Sequence, residues 1–379
     1  MFETVPGQER AKALFARALA GDSLSHAYLL AGPEGLGKLD FARDVGVALV
    51  ASCGGCGACQ ECDRARRGAH PDLRVVEREG VRIRLDQVEP LVAELALKPF
   101  AAARRVWVLP EAEQLMPEAA NKLLKSIEEP PSHVHFLLVT DRIERVLPTI
   151  VSRCQVVEFH PLSDAEVETY LRDVHGLSGD EGRALARLAR GSVERAARSA
   201  DDARGAHLRA EYLRHVTRLT GGAAADGETK SSPAAAFLAV LDRRLEIIGE
   251  ETQEALTRRL VEVEAQFADE KDRAWHSKRA ETFAKRDRDR RARQAAVDAL
   301  ELVVAWFRDL WAVACGAESA VLNCDHATEL ADAAVARPEL YARLLAAAAA
   351  ARKDLYLNVD QKLALQAMFA RFEEVARSA

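Results

Sequence analysis

The chain has 379 residues, of which 49% are hydrophobic, and it carries a formal net charge of −6. This length exceeds one ordinary core and predicts two or three domains, while the apolar content excludes a disordered chain. Because the net charge is negative, the chain as a whole does not attract nucleic acid, so any contact with nucleic acid must be local or shared with partners.

The N-terminus and the cysteines indicate a cytoplasmic protein. The first ten residues, MFETVPGQER, lack a basic-plus-apolar signal, and no run of 18 apolar residues exists in the chain. We therefore expect no membrane contact. In a reducing compartment, seven cysteines with four inside ten residues argue for a metal site rather than disulfides.

The first 160 residues alternate predicted strands with predicted helices. Frequent Ala and Arg with few aromatics favour helices overall, and short apolar runs mark buried strands. This alternation predicts a mostly parallel sheet covered by helices. The predicted helices are 8–20, 39–50, 86–96 and 117–128, the last stopped by Pro130 and Pro131, and the predicted strands are 27–31, 106–109, 136–140 and 155–159.

The strand signals stop after Pro161. Ser163 and Glu166 form a capping box, which predicts the start of a helix at this point. Two further helices are predicted over residues 180–190 and 193–199, so this short block is entirely helical and has the size of a small lid domain.

The remainder of the chain is also helical in character. A loop rich in Gly, Ala and Ser over residues 221–232 sets a domain boundary near residue 205. The stretch from 250 to 293 is densely charged with both signs mixed. It predicts a solvated helix face or hairpin, with a DNA or partner surface as the alternative.

A degenerate phosphate loop, GPEGLGKL, lies between a predicted strand and a predicted helix. Gly32, Gly37 and Lys38 match the pattern G-x-x-x-x-G-K-[S/T], and Gly35 adds flexibility, but Leu39 stands where a hydroxyl should hold Mg²⁺. The backbone N–H groups can still surround an anion, and Lys38 can still supply a charge. The loop predicts descent from an NTPase; ATP or ADP binding stays open, as does a loop with no ligand.

The acidic motif that should follow the second strand is also damaged. In working ATPases of this type, an Asp at the strand end steadies Mg²⁺ and a neighbouring Glu orients the attacking water. Here Pro110 takes the Asp position and Glu111 remains, either as part of a site or as a solvated remnant. Loss of both Mg²⁺ contacts should suppress hydrolysis by orders of magnitude.

Four cysteines form the run C-x₂-C-x₂-C-x₂-C. Cys53, Cys56, Cys59 and Cys62 are separated by mainly small residues, so their thiolates can surround a tetrahedral Zn²⁺. Four protein ligands leave no open coordination position, so such a zinc ion would be structural. An iron–sulfur cluster is the alternative, although the run lacks the longer last gap and the following Pro of bacterial ferredoxins. Free thiols without metal are the third interpretation.

The triplet Ser152-Arg153-Cys154 follows a short predicted helix. A rigid Arg at the rim of a nucleotide domain can reach the phosphate of a neighbouring subunit as an arginine finger. From three residues alone, an ordinary surface arginine is the competing interpretation.

Taken in order, these motifs resemble the bacterial clamp-loader subunits of the AAA+ class, and within that class the delta-prime family of DNA polymerase III. The match covers roughly residues 5–200, and the last third matches in its helical character and in the stretch LYLNVDQKLALQAMF. The motifs are GPEGLGK, the clustered cysteines, HPDL (70–73), NKLLKSIEEPP (121–131), FLLVT (136–140), SRC (152–154) and GSVERA (191–196).

The resemblance implies an α/β AAA+ domain with a parallel sheet flanked by helices, followed by helical domains. The implied domains are an AAA+ nucleotide-binding-like domain over 1–160 with a zinc module over 51–72, a helical lid domain over 161–204, and an all-α C-terminal collar domain for oligomerisation over 205–379.

The same resemblance implies a stator subunit of the DNA polymerase III clamp loader, a pentameric ring that loads the sliding clamp onto primed DNA. Its implied partners are the gamma/tau and delta subunits, with the clamp and DNA reached through the assembled complex. Arg153 would act as the catalytic residue in trans, and Thr140 would occupy the sensor-1 position of the nucleotide site. The chain would belong to a nucleotidyltransferase holoenzyme without ATPase activity of its own.

Several departures from the family pattern bear on these expectations. Family members usually place the first cysteine further upstream, so Cys53 is the least expected of the four ligands. Arg195 lies one position later than the sensor-2 Arg of motor subunits and is not assigned to phosphate. Leu39 and Pro110 break the two motifs that a motor needs. The alternatives are a gamma/tau-type ATPase motor and, from another class, a zinc-dependent nucleic-acid-binding repair factor.

Overall fold

The computed structural model describes residue 2 and residues 5–21, 24–76, 82–200, 205–219, 232–266, 269–334, 337–357 and 359–377. The chain divides into two compact units. The first comprises Met1–Gly176 and Ala189–Ala197, and the second comprises Leu177–Leu188 and Arg198–Ala379. The loop predicted over 221–232 lies almost wholly outside the described residues, and the lid and collar boundaries stay predictions.

The first unit is built on a parallel sheet, which has five strands within the described residues. Strand order is β2-β3-β4-β1-β5, and every pairing is parallel. β1, β3 and β4 are buried along their whole length, as expected for parallel strands covered on both faces. The strands are β1 (Ala27–Ala31), β2 (Leu73–Val75), β3 (Arg105–Leu109), β4 (Val134–Thr140) and β5 (Gln155–Glu158).

Helices cover both faces of this sheet. Successive side chains of a strand point to opposite faces, so Tyr28 and Leu30 join one hydrophobic core while Ala27 and Leu29 join the other. The helices are α1 (Glu9–Ala20), α2 (Lys38–Val50), α3 (Gln60–Arg66), α4 (Leu85–Leu95), α5 (Pro117–Glu128), α6 (Pro148–Val151) and α7 (Asp164–His175).

The predicted α/β class is confirmed, and most predicted elements lie within two residues of the observed ones. The prediction for α5 is confirmed at both ends, and the capping box is confirmed because the Glu166 backbone N–H donates to Ser163 Oγ while the Ser163 N–H donates to the Glu166 carboxylate. The sequence analysis missed β2 and α3.

The second unit is helical, and no strand occurs among its described residues. Among its described residues, one large hydrophobic core centres on Trp306, Phe237, Phe307 and Phe369. No helix of the described residues is long and apolar enough to cross a membrane. All of α8 (Gly179–Ala189) except its last residue belongs to this unit, whereas most of α9 (Val193–Ala200) belongs to the first. The other helices of the second unit are α10 (Gly205–Leu219), α11 (Pro233–Gln266), α12 (Glu270–Ala314), α13 (Ala327–Ala333), α14 (Pro338–Tyr356) and α15 (Gln361–Arg377).

The charged stretch 250–293 forms a helical hairpin. It occupies the end of α11 and the beginning of α12, which are consecutive and pack against each other. An ion pair joins Arg291 to Glu251, although the two residues are 40 positions apart. The predicted hairpin is therefore confirmed.

The HPDL motif supplies a buried anion that organises the first unit. Asp72 is fully buried and accepts backbone N–H groups from Phe100 (2.7 Å), Ala101 (2.7 Å) and Ala102 (3.0 Å). Arg105, also buried, donates to the same carboxylate at 3.3 Å. Burial alone would raise the pKa of Asp72, but these four donors outweigh it and hold the pKa below its usual value.

We expect Asp72→Asn to lower the free energy of unfolding by about 3–5 kcal/mol, because it leaves Arg105 buried without its carboxylate. The folded pKa of Asp72 lies below the unfolded value, so its stabilisation is present above about pH 4 and is lost as the pH falls through the folded pKa. Urea denaturation at pH 7 and pH 3 measures both effects. Asp63→Asn, which removes an exposed ion pair with Arg67, should cost less than about 1 kcal/mol; equal losses in the two variants would contradict the assignment.

Candidate functional site

The phosphate loop connects β1 to α2 at the carboxyl edge of the sheet. Gly32, Gly35 and Gly37 have φ values of 151°, 82° and 74°, which favour glycine. A Cβ at Gly32 would collide with the carbonyl oxygen of Phe159, and one at Gly35 would collide with Ser192 Oγ. The predicted glycine pattern therefore has a conformational reason at each position.

Lys38 begins α2 and is only 3% exposed. Its Nζ lies 2.7 Å from Asp141 Oδ1 and also contacts the carbonyl oxygen of Pro33. Asp141 directly follows Thr140, the last residue of β4. The ammonium charge that would face outer phosphates is therefore paired with a carboxylate of the same chain.

The loop's backbone is also bound by its own chain. The Gly37 N–H donates to Glu194 Oε1 at 3.2 Å, and the Glu194 N–H donates to the Gly35 carbonyl at 3.2 Å. Ser192 Oγ donates to the same carbonyl at 2.8 Å. The Glu194 carboxylate thus accepts a hydrogen bond from a backbone N–H of the kind that phosphate loops donate to phosphate oxygens.

The end of β3 carries the damaged acidic motif. Pro110 follows the strand, and Glu111 is half-buried with φ 53°, a left-handed conformation that non-glycine residues rarely adopt. Thr140, which is buried, donates its hydroxyl to Glu113 Oε2 at 2.7 Å and accepts the Arg142 N–H at 3.1 Å. Glu113, rather than Glu111, is therefore the acidic partner of the predicted sensor residue.

The sheet brings the predicted nucleotide residues to one edge. Ala31 of β1 pairs with Thr140 of β4, so the phosphate loop and Thr140 follow neighbouring strand ends. Carboxyl ends of parallel strands are where α/β proteins bind ligands. Arg195 contributes its backbone N–H to Ser192 Oγ.

Arg153 lies at the opposite edge of the sheet. It precedes β5, whose first residue pairs with Tyr28 of β1, whereas the phosphate loop follows the end of β1. The four steps along the backbone from Tyr28 to Gly32 alone span about 13 Å. Arg153 therefore does not face the phosphate loop of its own chain.

The Arg153 side chain is 37% exposed and is held in place by α5 and α6. Its Nη1 donates to the carbonyl of Thr149 at 3.0 Å, and its Nη2 forms an ion pair with Glu128. Cys154 is half-buried, and burial raises the pKa of its thiol to about 12. The triplet therefore presents a partly exposed guanidinium beside a thiol that stays protonated.

The four clustered cysteines come together at the start of α3. All four Sγ atoms lie within 4.8 Å of one another. Cys53 Sγ lies 3.5 Å from Cys59 Sγ and 3.4 Å from Cys62 Sγ. Cys53, the least expected ligand, is therefore an integral member of the cluster.

This geometry fits a metal ion such as zinc. Four thiolates about 2.3 Å from a tetrahedral Zn²⁺ would lie about 3.8 Å apart, close to the observed separations. Two sulfurs also accept backbone N–H groups, Cys53 from Cys56 and Cys59 from Cys62, each at 3.4 Å. The N–H of Cys56 lowers the pKa of Cys53 to about 6, whereas burial raises that of Cys62 to about 12.

Sequence reasoning missed the residues that bind the phosphate loop from within. Asp141 directly follows Thr140, so its position after the strand was a usable signal. Ser192 and Glu194 belong to the GSVERA motif, but nothing local indicates contact with a loop 157 positions earlier. The sequence analysis assigned the acidic motif to Glu111 and did not consider Glu113, which lies two residues later.

Comparison with known proteins agrees with these features. A family model described as DNA polymerase III, delta subunit, matches residues 7–163. The chain is similar to the DNA polymerase III subunit delta′ of Bacillus subtilis, with 34% identity over 198 residues that cover 52% of this chain and 60% of that one. It is also similar to the delta′ subunit of Pseudomonas aeruginosa, with 42% identity over 136 residues that cover 34% and 42%.

The matched region thus spans less than two thirds of either relative. Among solved structures, a DNA polymerase III gamma subunit-related protein from Thermotoga maritima aligns over 97% of this chain and 99% of its own, with a TM-score of 0.42 and 16% identity. The family model covers the part of the chain that carries the phosphate loop, the cysteine cluster and Arg153. The family model over residues 7–163 and the two delta′ relatives together relate the matched part of this chain to the DNA polymerase III delta-prime subunits.

Proposed function

We propose that this chain is the stator subunit of a DNA polymerase III clamp loader and contributes an arginine finger to a neighbouring motor subunit. The observation that carries the proposal is the contrast between the phosphate loop at the carboxyl ends of the strands and Arg153 at the opposite ends. Glu194 accepts a backbone N–H of the phosphate loop, and Asp141 pairs with Lys38. Arg153, by contrast, is partly exposed at the end of the sheet opposite the loop. A nucleotide domain arranged in this way acts on a neighbour's ATP rather than on its own.

The remaining assignments follow from this role. Gamma/tau and delta subunits are the direct partners, and the sliding clamp and primed DNA are reached through the complex in the cytoplasm. The segment 161–204 serves as the lid domain, and residues 205–379 form the collar that holds the ring together. Cys53, Cys56, Cys59 and Cys62 hold a structural Zn²⁺, which supplies rigidity to the module over 51–72 and no catalytic chemistry.

Assembly is the direct test. The full chain, mixed with cognate gamma/tau and delta subunits, should elute as one complex in size-exclusion chromatography with light scattering. Failure to join that complex would overturn the stator proposal.

A gamma/tau-type motor is the second candidate, and it is favoured by the retained Lys38 and Thr140. It predicts that Lys38→Ala in this subunit alone reduces the ATPase rate of the ring. On the stator proposal that rate stays unchanged, because Lys38 is already neutralised by Asp141.

We further expect Glu194→Ala to strengthen nucleotide binding by about 10- to 100-fold, the equivalent of one charge-assisted hydrogen bond of about 1.5–3 kcal/mol. The substitution frees the Gly37 N–H and removes a carboxylate that repels phosphate. Titration of the full chain with a fluorescent ADP analogue measures the change. Glu118→Ala, at an exposed position of α5, is the control; equal affinity in both variants would show that Glu194 does not close the loop.

A further inference from the structure

The beginning of α12 is basic in an otherwise acidic chain. Residues 271–293 contain ten Lys and Arg against four Asp and Glu, a local charge of +6, whereas the whole chain carries −6. This segment forms one arm of the hairpin described above. Its charge is therefore a local feature that the overall balance conceals.

The basic residues are concentrated on the face turned away from α11. Positions separated by three, four, seven or eight residues share one face of a helix. This rule places five exposed residues together over about 22 Å of helix, and we name them the α12 stripe. They are Lys271, Trp275, Lys278, Lys285 and Arg286.

Of the four acidic side chains of the segment, Asp289 shares the face of the stripe, where it lies 3.8 Å from Arg288, and the other three lie beside or opposite it. Asp287 is half-buried, pairs with Arg290 at 2.6 Å and also reaches Arg291. Arg291 in turn joins Glu251 on α11. Within the described part of the chain, Lys278 and Lys285 have no carboxylate partner, so the stripe keeps its positive charge at these two positions.

Trp275 distinguishes the stripe from an ordinary solvated face. Its side chain is 57% exposed, and the Arg279 guanidinium carbon lies 5.4 Å from the centre of its ring. An indole ring exposed to water is unexpected on a helix face that contacts only solvent. Basic side chains that alternate with an exposed aromatic are the combination that binds single-stranded nucleic acid, where phosphates meet the cations and bases stack on the ring.

We propose that the α12 stripe binds single-stranded nucleic acid without sequence preference. Lys271, Lys278, Lys285 and Arg286 neutralise successive phosphates, and Trp275 stacks against a base. A membrane surface fits less well, because this part of α12 is exposed around its outward side with no continuous apolar face. The proposal stands apart from the arginine finger, since it concerns a different unit and is tested on the isolated chain.

The test measures fluorescence anisotropy of a labelled 30-nucleotide oligo-dT with the full chain at 50–200 mM salt. We expect Lys278→Glu/Lys285→Glu/Arg286→Glu to weaken binding at least about tenfold and to reduce the salt slope by about 2, from three lost phosphate contacts. The matched control is Arg258→Glu/Arg259→Glu/Lys353→Glu, which makes the same charge change at exposed positions outside the stripe. Circular dichroism verifies that both variants fold.

Trp275→Ala should weaken oligo-dT binding about fivefold or more while leaving the weaker binding of duplex DNA unchanged. Three outcomes would overturn the proposal: no oligo-dT binding by the wild-type chain at 50 mM salt, equal losses in the stripe and control variants, or equally tight binding of polyglutamate or anionic vesicles. Polyglutamate binding would instead indicate an acidic protein partner, and vesicle binding a membrane.

Discussion

Arg153→Ala is expected to lower the DNA-stimulated ATPase rate of a reconstituted clamp loader by about 10³-fold while the complex still assembles. Arginine fingers supplied in trans contribute about 10³–10⁵ in rate, because they neutralise charge that develops on the transferred phosphoryl group. The substitution should leave the fold intact, since the side chain is 37% exposed and its contacts are one ion pair and hydrogen bonds on the surface. The measurement compares ATPase rates of rings that differ only at this residue.

Three variants sharpen the interpretation. Arg153→Lys keeps the charge but loses the planar fork, so it should restore little activity. Arg145→Ala, another exposed arginine near α6, should leave the rate within about twofold of the wild type, because surface arginines without a phosphate contact contribute no transition-state stabilisation. Glu128→Ala releases the ion pair that holds Arg153. An undiminished rate in the Arg153→Ala ring would refute the arginine finger.

The sheet of the first unit was predictable because parallel strands buried on both faces read as continuous apolar runs. AYLLA, VWVL and FLLVT are such runs, and each is a strand in the structure. The sequence analysis did not predict β2 because the strand has only three residues, of which Leu73 is buried, Arg74 is exposed and Val75 is half-buried. Its existence depends on pairing with β3, a long-range contact that no local pattern reports.

The candidate site shows the same division between local and long-range information. The four cysteines lie within ten consecutive residues, so their spacing alone predicted a cluster. α3 was missed because its start is set by the cluster itself, where Cys59 Sγ accepts the Cys62 N–H in the place of an ordinary N-cap oxygen. The contact of Glu194 with Gly37 crosses 157 positions and follows from the tertiary fold.

The cysteine cluster leads to the second large effect. Each of Cys53→Ser, Cys56→Ser, Cys59→Ser and Cys62→Ser is expected to reduce the zinc content from about one ion per chain to near zero, because structural sites need all four ligands and their binding energy is folding energy. Elemental analysis of protein purified without chelator measures the loss. Cys154→Ser, at a half-buried cysteine outside the cluster, should keep the zinc.

Loss of the metal should affect the fold only near the cysteine cluster, but this region includes part of the hydrophobic core. Cys62 is fully buried among the residues of one face of the sheet, together with Ala65 of α3. Without a metal, four thiols packed within 4.8 Å have no common partner, and the N–H groups of Cys56 and Cys62 lose thiolate acceptors. We therefore expect those two amides to exchange with solvent much faster in the cysteine variants and in chelator-treated protein, while β4 amides stay protected. Zinc retained by the Cys53→Ser variant would restrict the site to three cysteines and restore the doubt that its unusual position first raised.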